Sequence, residues 1–188
     1  IVLKRGWEDV PMNDPRDITW DEFMQHAVGQ SGECVPMEAN EPAFILATSG
    51  TTAKPKLAIH THGGYQVHIA SMARWVFGLK PEDVWWATSD IGWIVGHSYI
   101  VYAPLVIGCT TIAFEGALDH PSSESNWKVA IEEFSVSGVF TSPTAVRLLM
   151  RYGDEPLSKV NHDRLERIFC AGEVLNAPAW DWLQNKIL

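Results

Sequence analysis

From residue 39 onward, short apolar runs alternate with stretches of helix length, and that rhythm limits what the chain can fold into. The runs 43–48, 57–60, 84–88, 110–114, 136–141 and 165–170 read as strands. Helices are expected over about 62–77, 92–105, 127–134 and 143–152, and from 177 onward. Ser142 stands as the cap of the helix at 143, with Pro143 at its first position. Strands joined by helices are crossover units, which demand a mostly parallel sheet. The strands are nearly continuous in apolar residues, as expected where both faces are covered. The expected fold is therefore α/β, a three-layer α/β/α sandwich. In such sheets ligands meet the carboxyl ends of the strands. The loops after Thr48, Thr88, Thr141 and Ala171 are thus the ones to search for chemistry.

Residues 1–38 are irregular by comparison, with Pro11, Pro15, Gly29, Gly32 and Pro36. They are expected to pack on an α/β core of residues 39–188. One helix is expected there, because Thr19-Trp20-Asp21-Glu22 has the spacing of a capping box. The net charge of -9 disfavours a nucleic-acid partner, since an acidic surface repels a phosphate backbone. Cys34, Cys109 and Cys170 are odd in number and lack zinc or redox spacing, which points to a reducing cytoplasm. Residues 93–114 contain no Asp, Glu, Lys or Arg. Gly96, Pro104 and Gly108 punctuate that stretch, so it reads as a buried helix followed by a buried strand and not as a membrane span. No signal peptide is read at the start, and the helix at the end reads as still running.

The loop after the first strand carries the strongest chemical signal. Thr48, Ser49, Thr51 and Thr52 supply hydroxyls, Gly50 permits close backbone approach, and Lys54 and Lys56 supply charge around a stiffening Pro55. Phosphate needs amide donors, hydroxyls and positive charge at one point. The P-loop pattern does not fit, because Ala53 stands where its second glycine would be and Pro55 follows the lysine. A plain surface loop has the same composition, so residue types alone leave both readings open. Taken alone, Trp93-Ile94-Val95 reads as core packing and Gly172-Glu173-Val174 as a strand-to-helix turn. His60, His62, His68 and His97 lack the spacing of a metal site, and Asp90 reads as a helix cap.

Taken together, these segments resemble the adenylate-forming enzymes: acyl-CoA synthetases, luciferases and peptide-synthetase adenylation domains. Ala47 to Lys56 is similar to the family signature. His60-Thr61-His62-Gly63-Gly64-Tyr65, the run Ser89 to Tyr99, Phe114-Glu115-Gly116, Thr141 to Arg147 and Ala171-Gly172-Glu173 resemble the acetyl-CoA synthetase branch. The likeness runs over nearly the whole chain and is least clear before residue 40.

The resemblance implies a Rossmann-like nucleotide-binding subdomain of an ATP-dependent short-chain acyl-CoA synthetase. Thr48, Ser49, Gly50, Thr51, Thr52, Lys54 and Lys56 would hold the β- and γ-phosphates of ATP, with Mg²⁺ sharing the charge. Trp93, Ile94 and Val95 would line the acyl pocket, with Val95 where the family usually has threonine. Gly172, Glu173 and Val174 would meet the nucleotide, with Val174 in place of the family's proline. The implied partners are small molecules: a short carboxylate, ATP and coenzyme A. Acetate is the expected acid, with propionate, another small acid or a non-catalytic nucleotide-binding module as alternatives. The family's lid with its adenylating lysine has no counterpart here, so no catalytic residue is assigned and the piece alone is expected to be inactive.

Overall fold

Thr19 opens the first helix, α1 (Trp20–Gln25), through the capping box its spacing predicts. Its hydroxyl accepts the Glu22 amide at 3.2 Å, and the Glu22 carboxylate accepts the Thr19 amide at 2.8 Å. The computed structural model describes residues 1–4, 10–48 and 54–188, which fall into two units, 1–37 and 38–188. α1 belongs to the first unit, as does a single parallel bridge between Val2 and Thr19.

The second unit opens on an antiparallel hairpin of β1 (Pro42–Thr48) and β2 (Lys56–Thr61), paired from Pro42 with Thr61 to Thr48 with Lys56. The sequence reading counted the first strand with the main sheet. It stands apart because the connection 49–55 is shorter than the dozen or so residues a parallel crossover needs. Phe44 fixes the hairpin to the body of the unit. Its ring stacks on His60 at 4.7 Å and meets Tyr65 edge-on at 4.8 Å.

Tyr65 lies on α2 (His62–Ser71), whose last turns widen to π-type bonding over Met72–Val76, with the Phe77 amide donating to the Met72 carbonyl at 3.0 Å. Then come β3 (Val84–Ala87), α3 (94–107), β4 (Thr110–Ile112), α4 (Trp127–Glu133) and β5 (Gly138–Thr141). α5 (Pro143–Met150), the short α6 (Glu155–Ser158), β6 (Arg167–Cys170) and α7 (Ala177–Lys186) complete the order. The strands lie as β4-β3-β5-β6, and every pairing is parallel.

Alternation along β3 sends its two tryptophans to opposite faces of the sheet. Trp85, Ala87 and Phe140 face a cluster built by α2 and α3 with Ile69, Phe77, Tyr99 and Ala103. Trp86 and Val139 face a second cluster built by α4, α5 and α7 with Ile131, Val146 and Leu183. The sheet is thus covered on both sides, the three-layer arrangement its apolar strands imply. Two details depart from expectation. α3 is only half-buried, with Tyr102, Leu105 and Val106 exposed. α3 also takes π form over His97–Tyr102. There the Tyr99 and Ile100 carbonyls accept side-chain donors, the Trp85 indole and the Thr111 hydroxyl, each at 2.8 Å.

A polar cluster ties the amino ends of the strands together. Asp83, nearly buried, accepts the Ser137 hydroxyl at 2.7 Å, the Arg167 guanidinium at 2.6 Å and the Lys80 amide at 2.8 Å. Burial pushes this carboxyl up, but the bonds from Ser137 and Lys80 and the charge of Arg167 outweigh it and hold it below the ordinary range. The carboxyl ends of the strands lie at the opposite end of the sheet.

Candidate active site

The chain leaving β3 turns into α3 on one face of the sheet and leads outward to β4, while the chain leaving β5 turns into α5 on the other face and leads outward to β6. Neighbouring parallel strands whose connections part in this way open a crevice at their carboxyl ends. Between β3 and β5 that crevice is a cavity of about 460 Å³. Thr88, the residue after β3, and Thr141, the last of β5, share a hydroxyl–hydroxyl bond of 2.8 Å across it. Trp93, Ile94 and Val95 line one side, Ser142 and Ala145 another, and Ala171 and Gly172 the end beyond β6.

Each wall has a local cause. Asp90 accepts the Gly92 amide at 2.6 Å, which turns the chain before α3 starts at Ile94. Asp90 therefore shapes the turn, two residues ahead of the helix start expected at 92. Gly96 lets α3 lie against that turn, since a Cβ there would meet the Asp90 carbonyl oxygen at 2.4 Å. Trp93 stays 67% exposed and stands over the mouth as a broad apolar rim. Ile94 and Val95 also line a neighbouring groove with His60, Tyr65, His68 and Ser98, where the Tyr65 and Ser98 hydroxyls bond at 2.7 Å.

α5 starts as its sequence predicts: the Ser142 hydroxyl accepts the Ala145 amide at 3.1 Å and Pro143 fills the first turn. The loop after β6 crosses to this helix. Gly172 takes φ +98°, a conformation that favours glycine, and Glu173 then reaches the first turn of α5. One Glu173 oxygen accepts the Thr144 amide at 3.0 Å and the Thr144 hydroxyl, and the other accepts Arg147 Nη2 at 2.5 Å. The bonds from Thr144 and then Arg147 hold the Glu173 carboxyl below the usual carboxylate range.

The residues singled out from sequence fall into three groups. Trp93, Ile94, Val95 and Gly172 come together in one cavity. Glu173 turns its carboxylate to α5, and Val174, 85% exposed, is not among the lining residues. Thr48 ends β1, Lys56 opens β2 and Lys54 is exposed beside them; Ser49, Gly50, Thr51 and Thr52 lie outside the described residues. Among the described residues no group of three or more His, Cys, Asp or Glu side chains is arranged to hold a metal ion. Burial pushes the Cys170 thiol up. Sequence reasoning missed Thr144 and Arg147 as partners of Glu173, because nothing local marks a contact spanning 26 to 29 residues.

The model of the family described as AMP-binding enzyme matches residues 5–188. The chain belongs to that family. An acetyl-coenzyme A synthetase of Pyrobaculum aerophilum is 45% identical over 184 residues, covering 97% of this chain and 27% of that protein. One of Methanothrix soehngenii is 44% identical over 189 residues, covering 100% of this chain and 28% of that protein. Among solved structures, an acyl-CoA synthetase of Brucella canis superposes with a TM-score of 0.77 at 29% identity, over 99% of this chain and 32% of that one. This AMP-binding segment therefore spans under a third of the length of each of these relatives.

Proposed function

We propose that this segment is the nucleotide- and acyl-binding part of an AMP-forming acid–thiol ligase that acts on a short carboxylate, with acetate as the acid. The observation that carries the reading is the crevice between β3 and β5, where the apolar wall of Trp93, Ile94 and Val95 meets the Ala171-Gly172 backbone in a single cavity. A small acid would sit against the indole wall. The nucleotide would run past Gly172, whose lack of a side chain lets a ring approach the backbone. The triphosphate would extend toward the hairpin that carries Lys54 and Lys56, where charge neutralisation and positioning favour attack of the carboxylate on the α-phosphate. Pyrophosphate leaves, and the thiol of coenzyme A then displaces AMP to give the thioester. Mg²⁺ would travel with the substrate phosphates. The acetyl-coenzyme A synthetases at 39–45% identity support acetate over a longer acid. The free thiols of Cys34, Cys109 and Cys170 support a reducing, cytoplasmic setting.

The test is a panel of carboxylates with ATP and coenzyme A, run on the full-length protein that carries this segment. Acetate should give the highest kcat/KM, with each added methylene costing about tenfold or more. Lys54→Ala and Lys56→Ala should slow pyrophosphate formation. No pyrophosphate with any acid, or unchanged rates in both lysine variants, would overturn the assignment.

A further inference from the structure

We propose that Arg147 and Thr144 are positioning residues for the nucleotide: through Glu173 they hold the loop after β6 in the shape that presents Ala171 and Gly172 to the cavity. The inference rests on the function proposed above and concerns residues to which that function gives no part.

Residues 171 to 174 are all exposed, and Val174 is almost fully so. The last ladder contact is the Ala171 amide on the Thr141 carbonyl at 3.2 Å, and a Cβ built on Gly172 would meet nothing within 4 Å. Beyond Ala171 the loop is fixed by the Glu173 carboxylate with its donors from α5 and, further on, by Leu175 packed against the core. Arg147 Nη2 also donates to the Thr144 hydroxyl at 3.1 Å, so the three side chains close a ring.

The first turn of α5 keeps its amides within the chain. Pro143 has no amide hydrogen. The Thr144 amide donates to Glu173, the Ala145 amide to the Ser142 hydroxyl at 3.1 Å, and the Val146 amide to the Ser142 carbonyl at 3.1 Å. A helix start facing a nucleotide cleft would ordinarily offer its amides to phosphate. Here a carboxylate of the chain itself takes that place, favoured by the positive end of the helix. α5 therefore serves as an anchor for the loop, and the phosphates must be met elsewhere.

Releasing the anchor should lower the fraction of molecules whose loop is ready for the nucleotide, and apparent affinity falls by that fraction. The experiment uses the full-length protein and measures ATP–pyrophosphate exchange, unfolding temperature and ATP affinity for Arg147→Ala, Glu173→Gln, the double variant, Thr144→Ala and Arg147→Lys. A loop correctly shaped only about a tenth of the time raises KM for ATP about tenfold. The expected result is a rise of that order in each of Arg147→Ala and Glu173→Gln, with kcat changed far less and the unfolding temperature nearly constant. The double variant should be no worse than the poorer single one, and Arg147→Lys should recover part of the loss. Thr144→Ala keeps the amide bond and should show a smaller rise; it also serves as the reporter if Arg147→Ala fails to fold. Unchanged KM for ATP, multiplying effects in the double variant, or loss of thermal stability without a KM change would each overturn the inference. Absence of exchange in the unaltered protein would instead sink the ligase reading, so the two failures are distinct.

Discussion

At the scale of single residues, Asp83 shows how one carboxylate can hold several strands in place. It gathers Ser137 from the approach to β5, Arg167 from β6 and the Lys80 amide ahead of β3. Removing its charge leaves the part-buried Arg167 guanidinium without its counter-ion, and breaking such a pair costs about 3 kcal/mol or more. Asp83→Asn should lower stability by that order at neutral pH, measured by urea unfolding of the full-length protein. The folded Asp83 carboxyl lies below its unfolded value, so its stabilisation is complete above the ordinary aspartate pKa of about 3.9 and is lost as pH falls through the folded value. The gap between wild type and variant should therefore close in acid; a gap that stays constant down to that range would show that ionisation of Asp83 is not what stabilises. Nothing around Asp83 in the sequence announces this role, since its partners lie 54 and 84 residues away. By contrast, Thr19 and Ser142 were legible as caps because capping is a contact over three residues.

At the scale of elements, strand and helix alternation was readable because burial on both faces leaves an unmistakable apolar run. The three-layer sheet followed from it. The separate hairpin of β1 and β2 was not anticipated, although the shortness of its connection could have signalled it. The π-form stretch in α3 has no local sequence signature; there side chains from neighbouring strands bond helix carbonyls, as Trp85 does at Tyr99. The central β3–β5 pair depends on such a fit. Gly138 lies opposite Trp85, and a Cβ there would meet the ring at 2.9 Å and 3.0 Å. Trp85 has no solvent-exposed surface, and its indole is tied to the Tyr99 carbonyl, so the ring cannot swing away. Gly138→Ala should cost about 1–3 kcal/mol through overpacking. An unfolding temperature equal to wild type would mean that the ring does yield.

At the scale of the whole molecule, the site was half legible. The carboxyl-end rule points to the loops after Thr48, Thr88, Thr141 and Ala171; residues from the last three line one cavity, whereas Thr48 leads into the hairpin connection, where 49–53 lie outside the described residues. What could not be read was the divergence of α3 and α5 that opens it, since the side of the sheet a crossover takes is decided by long-range packing. The sheet closes only when β5 slots in beside β3, pairing Trp85 with Gly138 across the intervening β4 and α4. A chain cut at residue 135 should therefore lose the strand beside β3 and, with α5 and α7, most of the cover over Trp86, and be digested by protease far faster than the intact segment; equal resistance would show that β3 and β4 are stable without β5. The same order of assembly matters during synthesis. Trp86 leaves the ribosome before β5, α5 and α7, so one apolar face of β3 stays without its full cover until those later elements follow.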